Sequence, residues 1–552
     1  MRTIASTRGW REFEAPRALA QARCVWRRPW LAWSEGLWCL FRMVSRDTTG
    51  PRLPVEREWS RFDLWRARVG LVLAPLAFAS VLVLPLELSL QAHRLAAILA
   101  GVGILWVTEA IPMAITAFLG VAVAVVLGVA PAQQAFAPFA DPLIFLFVGS
   151  FLLARAIFVH GLDRRIALAI LSWRIAGKSP WALLMAYSGT AALLSMWISN
   201  TATVAMMYPI GLSILAVVDQ RAQNRRRALR QFGAALLLSC AFGASIGGLA
   251  TPVGTPPNLI GLGFLRRTDA AEIPFFTWMA LALPIASGLW VWMVVRFRRV
   301  GRGLEEALRA LREHLAEEQR ALGAWSAGER NTVVAFAITV GLWVAPGVVA
   351  LVAGREHPWY AWLSGTLPEG VVALLGASLL FVLPVDWRQH RFTLTWAEAV
   401  QIDWWIVFLY GGGLALGTLT FQTGLAEAAG QALTAALGID RPFSLVLAAT
   451  VSATALSEAT SNTSAANMVV PVVIALARSA GMDPVLPALA ATMAASLGFL
   501  LPVSTPTNAI VYASGRVPLR FMMRYGALLD LAGIAIVSAV LAMLGPIVLP
   551  SN

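Results

Sequence analysis

Only three cysteines occur in 552 residues, Cys24, Cys39 and Cys240, too few and too scattered for a disulfide framework or a cysteine-rich metal site. Charge is equally scarce: 13% of residues are Asp, Glu, Lys or Arg, against roughly a quarter in soluble proteins. That scarcity excludes an ordinary soluble enzyme. No Walker, GxSxG or HExxH pattern is present, so primary pumping and hydrolysis lack residues to perform them. The histidines, His93, His160, His314, His357 and His390, stand in or beside expected loops and the polar linker, with no two at ligand spacing.

Apolar residues fill the space, at 58% of the chain with a mean hydropathy of +0.70. Val69 to Leu86, Thr332 to Gly354 and Leu531 to Leu549 carry no charge and are long enough to cross a hydrocarbon core of roughly 30 Å. The expected fold class is an all-α polytopic membrane protein, with the bilayer as its main partner. The formal net charge of +13 sits in short basic blocks between apolar segments, where the positive-inside rule expects it. It reports topology and gives no ground for a nucleic-acid partner.

Residues 1–68 are an Arg- and Trp-rich leader, read as cytoplasmic, in which Pro29 to Val44 is either a short interfacial helix or an unordered stretch. Apolar segments follow at about 69–88, 95–111, 114–130, 142–172, 181–218, 231–263, 277–296, 331–353, 365–384, 403–436, 443–476, 485–513 and 525–549. The expected organisation is a first transmembrane helix in 69–94, one repeat in 95–296, a cytoplasmic amphipathic linker in 297–330 and a second repeat in 331–552. PMAITAFLGVAVAVVLGV from Pro112 parallels PEGVVALLGASLLFVLPV from Pro368, and FLFVGSFLLARAIFVHGL from Phe145 parallels FLYGGGLALGTLTFQTGL from Phe408.

Loop charges assign sides. Arg164, Arg165, Arg174 and Lys178 precede the 181–218 segment, and Arg221, Arg225, Arg226, Arg227 and Arg230 follow it; with both clusters cytoplasmic, the segment enters and leaves on one face as a re-entrant hairpin. The 443–476 segment has only Arg441 and Arg478 beside it, while Arg388, Arg391, Arg516, Arg520 and Arg524 mark the other side. It reads as a second hairpin entering from outside, with the N-terminus cytoplasmic, the C-terminus outside and the repeats inverted. Arg266 and Arg267 violate this scheme. Inverted repeats set a transport site near the bilayer midplane between discontinuous helices.

The closest agreement between the halves is at the hairpin tips. Ser199-Asn200-Thr201 recurs as Ser461-Asn462-Thr463, 262 residues on, and the break GGLATPVGTPPN ending at Asn258 recurs as GFLLPVSTPTN ending at Asn508, 250 residues on. A lone Ser-Asn-Thr marks a cap or turn, and a lone TPxN marks a turn; both motifs twice, in the same order and at membrane depth, are a site. Irregular backbone there must line a polar cavity, because unsatisfied amides facing lipid cost several kcal/mol each. Free amides at helix N-termini and hydroxyl or carboxamide donors suit an anion. Carbonyl, hydroxyl and carboxamide oxygens suit a small hard cation.

WVTEAIPMAITA, the paired SNT tips, TPVGTPPN, FLYGGGLALG and LPVSTPTNAIV resemble the signatures of the divalent anion/sodium symporters, the carriers of dicarboxylates, citrate and sulfate, from about Val69 to Leu549. The resemblance implies a homodimer, eleven transmembrane helices plus two hairpins in each protomer, and a scaffold against which a transport domain moves as an elevator. It also implies an anion site of Ser199, Asn200, Thr201, Ser461, Asn462 and Thr463 lined by Thr255, Pro256, Thr505 and Pro506. Sodium ions, co-transported, would bind at Ser195, Ser199, Asn200 and the carbonyl of Gly254, and at Ser457, Ser461, Asn462 and the carbonyl of Ser504; no organic cofactor is implied. Two features depart from the family: Thr507 stands where the first half has Pro257, and the leader has no counterpart.

Glu109, at a helix end, is read as a cap or the partner of an interfacial cation, with proton coupling as its alternative. Arg155 reads as a snorkelling residue or the mark of a helix bend. The function expected is sodium-driven symport of a divalent anion, a C4 dicarboxylate such as succinate, malate or fumarate, across the plasma membrane. The alternatives are a sodium-independent exchanger of the same fold, a sulfate or citrate carrier, and a membrane-embedded metabolite sensor or scaffold.

Overall fold

The computed structural model describes residues 61–173, 178–221, 225–437 and 441–549. The chain divides into two compact units, Met1–Arg61 and Phe62–Asn552. The expected interfacial helix at Pro29 to Val44 lies outside the described residues, and the second unit is the subject below.

The second unit is built of helices, apart from a two-stranded antiparallel ribbon of Pro384–Asp386 and Arg391–Phe392. Among the described residues ten helices are long and apolar enough to cross a membrane, eleven if Pro358–Thr366 and Glu369–Val382, bent by 68°, make one span. Their ends follow local chemistry. Ser89, Asp141 and Ser179 cap helices with their side-chain oxygens, and Ser326 and Glu329 form a capping box at the start of Ala327–Ala353.

Several expected boundaries shift. The first described helix, Arg61–Val83, overlaps the expected leader, and its Arg66 forms an ion pair with Glu109 at 3.1 Å. Glu109 also ends Leu90–Thr108 in the left-handed conformation, so it serves as both cap and cation partner. The 142–172 and 403–436 segments are each two helices: Pro142–Val159 and Leu162–Leu171 turn at Gly161, and Trp404–Gln422 and Leu425–Leu437 turn at Gly424, both glycines having positive φ. The hairpins span Pro180–Ser195 with Asn200–Arg221, and Pro442–Ala459 with Asn462–Ser479.

The linker is not free on the surface. Its helix, Glu305–Ala321, packs on Asn200–Arg221 and Leu162–Leu171, burying Leu311 and Leu315. Glu318 takes Arg164 at 3.6 Å, His314 bonds Ser213 at 2.8 Å, and Arg165 binds Glu329 at 2.5 Å and the carbonyls of Leu322 and Gly323. Arg155 reaches the carbonyl of Glu398 at 3.2 Å and the Gln401 side chain, tying its helix to the short helix Trp396–Ala399. Arg267 pairs with the buried Asp141 at 3.0 Å and Arg266 with Glu272 at 3.0 Å. Both arginines that depart from the charge scheme thus have acidic partners, Arg267 a buried one and Arg266 an exposed one.

The second and third helices of the two halves exchange partners: Met113–Val126 packs on Trp404–Gln422, and Pro142–Val159 on Glu369–Val382. Glycines permit the close crossings. A Cβ on Gly412 would lie 2.5 Å from that of Ala117, and one on Gly149 would lie 2.5 Å from the backbone of Ala373. Arg226–Leu249 is buried continuously from Phe232 to Leu249, whereas Arg61–Val83 and Ala327–Ala353 leave most of their apolar side chains exposed. A helix apolar all round belongs at the centre, and helices with apolar outer faces belong against lipid.

Candidate functional site

Each hairpin is a helix, a short break and a second helix folded back beside the first. In the first hairpin Tyr187 reaches across to donate its hydroxyl to the Met207 carbonyl at 2.8 Å, so the limbs lie side by side. The second limb of each hairpin begins at an asparagine, Asn200 or Asn462, with Ser199 or Ser461 at its N-cap. Ser199 Oγ accepts from the Ala202 N–H at 3.3 Å, and Ser461 Oγ from the Ser464 N–H at 3.2 Å.

The expected serines four residues before these caps are in place. Ser195 Oγ donates to Asn200 Oδ1 at 2.6 Å, and Ser457 Oγ donates to Asn462 Oδ1 at 2.8 Å. The broken helix of each half lies against that pair. A Cβ on Gly248 would collide with Asn200 Oδ1, while one on Gly498 would meet Asn462 Oδ1 at 3.1 Å and Ser457 Oγ at 3.3 Å. At Gly248 only glycine gives the carboxamide this approach, while at Gly498 the fit is tight. Gly254 sits over the carbonyl of Gly248, and a Cβ there would come within 2.5 Å of that oxygen. Ser504 takes the place of Gly254 in the second half, its Cβ 3.3 Å from where a Gly498 Cβ would stand. Ser195, Asn200, Gly248 and Gly254 thus form one cradle, and Ser457, Asn462, Gly498 and Ser504 form another.

After each break a helix restarts, Pro256–Arg267 or Pro506–Ala513, with Thr255 or Thr505 at its N-cap and Pro in the first turn. Thr255 and Thr505 are buried, and Thr505 Oγ1 accepts from the Asn508 N–H at 3.3 Å. Pro256 is half-buried and Pro506 exposed; Thr201 is exposed and Thr463 buried. Both cradles are therefore flanked by two helix N-termini, whose free N–H groups favour negative charge. No Lys or Arg occurs in 195–204, 248–258, 457–467 or 498–508.

The halves interlock around this region. Pro256–Arg267 packs on Asn462–Ser479, and Pro506–Ala513 on Asn200–Arg221. Ser245 Oγ and Thr507 Oγ1 meet at 3.3 Å, and Thr507 also bonds Thr505 at 2.8 Å. The hydroxyl that replaces Pro257 thus joins one half to the other.

Sequence reasoning missed four contributors. Glu458 accepts the Leu500 and Leu501 N–H groups at 2.7 and 3.2 Å and the Ser504 hydroxyl at 2.7 Å. Asp530, on Leu519–Val548, accepts the Phe499 N–H at 3.3 Å and faces Glu458. Met113 accepts the hydroxyls of Ser461 and Ser464 on its sulfur at 3.2 and 2.8 Å. Trp278 donates to the Leu249 carbonyl at 3.0 Å. None of the four recurs at the matching position of the other half's sequence, so comparing the two motif sets could not find them.

The arrangement sets cation-suited oxygens and anion-suited helix N-termini side by side. The sodium:sulfate symporter transmembrane region, as a family, matches residues 64–549. A sodium-dependent dicarboxylate transporter of Staphylococcus saprophyticus is 32% identical over 492 residues, covering 87% of this chain and 92% of its own. The corresponding Staphylococcus aureus transporter is also 32% identical, with the same coverage. The solved Alcanivorax borkumensis YdaH transporter aligns over 88% of this chain and 98% of its own at 14% identity and a TM-score of 0.49. The chain belongs to the sodium:sulfate symporter family, and is a multi-pass membrane transporter rather than an enzyme.

Proposed function

We propose that this transporter is a sodium-coupled symporter of a divalent anion, with C4 dicarboxylates such as succinate, malate and fumarate as substrates. The observation that carries the reading is the duplicated cradle, Ser195 with Asn200 and Ser457 with Asn462, each set against a glycine of a broken helix. The dicarboxylate specificity of the staphylococcal relatives supports the choice of substrate. A dianion entering a site without Lys or Arg needs its charge offset by a companion, because an unpaired charge out of water is costly. Sodium held at Ser195, Ser199, Asn200 and the Gly254 carbonyl, and at Ser457, Ser461, Asn462 and the Ser504 carbonyl, supplies that charge. The anion then lies between Ser199-Asn200-Thr201 and Ser461-Asn462-Thr463, with Thr255, Pro256, Thr505 and Pro506 beside it.

The 95–296 and 331–552 halves are inverted repeats in this reading, and the hairpins are re-entrant from opposite faces. The hairpins and broken helices form a transport domain that moves as an elevator against a scaffold in a plasma-membrane homodimer, with the leader and linker cytoplasmic and the C-terminus outside. With more than two sodium ions per dianion, each net positive charge moved inward gains about 2.3 kcal/mol per 100 mV.

Uptake of radiolabelled succinate into proteoliposomes tests the reading. Uptake driven by an inward sodium gradient and lost in Asn200→Ala and Asn462→Ala is the expected result. Uptake unchanged when choline replaces sodium contradicts sodium coupling, and saturable uptake of sulfate or citrate in place of succinate moves the substrate.

A further inference from the structure

The residue that ends each break does more than punctuate it. Asn258 Nδ2 donates to the carbonyls of Gly248 and Thr251 at 2.9 and 2.8 Å, and Asn508 Nδ2 donates to those of Gly498 and Leu501 at 3.0 and 3.0 Å. Both asparagines are fully buried. Each carboxamide therefore clamps the cradle glycine's carbonyl to a carbonyl three residues on, and those of Thr251 and Leu501 also accept the Gly254 and Ser504 N–H groups at 3.3 Å. The same two bonds fix the orientation of the carboxamide, since a flipped amide would set its oxygen against two carbonyl oxygens. The oxygens left over, Asn258 Oδ1 and Asn508 Oδ1, are buried and have no hydrogen-bond partner.

A buried acceptor without a partner calls for a reason, and recurrence supplies one. Thr203, Asn467 and Ser496 also carry an unpartnered oxygen, but their counterparts in the other half are Ala465, Ala205 and Ile246. Among the described residues only the Asn258 and Asn508 oxygens are orphaned at equivalent positions, each on a carboxamide whose NH2 group binds the carbonyl of a cradle glycine. A neutral carboxamide oxygen is a hard ligand that suits an alkali cation and repels an anion.

We propose that Asn258 and Asn508 are cation-binding residues, each clamping the carbonyls of its break with its NH2 group and offering its orphaned oxygen to the cation of the adjoining cradle. The assignment rests on the sodium-coupled reading above and adds one ligand to each site.

Thermal unfolding of the purified protein, in sodium chloride or choline chloride at matched ionic strength, separates the ligand role from a structural one. Wild type is expected to gain stability with sodium in a saturable way. Asn258→Ala and Asn508→Ala should each weaken the apparent sodium affinity by about tenfold or more. Asn258→Asp and Asn508→Asp, which keep the oxygen and lose the donors, should melt earlier in choline yet bind sodium at least as tightly as wild type. The Asp variants carry the test if the Ala variants do not fold. A lower melting temperature with unchanged sodium affinity in the Ala variants, or sodium affinity lost in the Asp variants, would overturn the ligand role while leaving sodium coupling intact. A wild type whose stability is indifferent to sodium would overturn the coupling itself and the ligand role with it.

Discussion

The two breaks do the same job with opposite hydrogen-bond chemistry. In the first, the Thr251 hydroxyl donates to the Met196 carbonyl at 2.5 Å and the Trp278 ring N–H donates to the Leu249 carbonyl, so neutral groups tie the loop to its hairpin and to the last helix of its half. In the second, Glu458 stands 262 residues after Met196 and takes the Leu501 N–H, while Asp530 takes the Phe499 N–H. Equivalent points of the loop are tethered in both halves, by donors in one and by carboxylates in the other. The cradle geometry is alike at the two breaks, and the groups that support it differ. The second break is consequently tethered by acidic side chains, and the first by a hydroxyl and an indole N–H.

The largest effects should come from the shared parts. Asn200→Ala and Asn462→Ala each remove the oxygen that accepts the serine hydroxyl, and each should lower sodium-dependent uptake by roughly 10–100-fold. Comparable losses in initial-rate assays would mark the cradles as equivalent; loss in one alone would break the comparison. The supports come next. Glu458→Gln gives up charge-assisted bonds to two N–H groups and a hydroxyl and should cost about 1.5–3 kcal/mol. Thr251→Val removes one neutral bond and should cost about 0.5–1.5 kcal/mol in the same thermal unfolding measurement.

The glycines sharpen the contrast further. Gly248→Ala drives a methyl into Asn200 Oδ1 and should cost about 1–3 kcal/mol together with most sodium-dependent uptake. Gly498→Ala meets its neighbours at 3.1 and 3.3 Å, a strain that a shift of a few tenths of an ångström relieves, so it should retain more uptake than Gly248→Ala. Thr507→Pro gives the second half the residue of the first. Proline is tolerated in a first helical turn, so the change should cost only the bonds to Thr505 and Ser245, about 1 kcal/mol, read as a small drop in melting temperature.

The SNT tips and the two breaks were legible in the sequence because they recur at fixed offsets, whereas Ser195, Ser457, Gly254 and Ser504 came from the family resemblance and Gly248 and Gly498 were not singled out. Glu458 was not, since its counterpart is Met196 and comparing the halves finds what they share. Asp530 reaches Phe499 from a helix whose pattern is otherwise that of a lipid-facing span. Within apolar runs, hydropathy does not register a turn, which is why the breaks at Gly161 and Gly424 escaped it. The partner of Arg267 was not legible for a related reason, as Asp141 lies 126 residues away. The linker was legible as an amphipathic helix, but the hairpin limb it covers was not, because Ser213 and His314 meet only in the fold.

Two like cation cradles, on breaks tethered by different groups, are proposed to act together on one anion. The initial rate of succinate uptake into proteoliposomes, measured as sodium replaces choline at constant ionic strength, tests this most directly. The account predicts a sigmoidal rise, because more than one sodium ion must bind before the anion moves, with the sigmoid lost when either Asn200 or Asn462 is changed to Ala. A rate independent of sodium, or a hyperbolic rise untouched by either substitution, would contradict it.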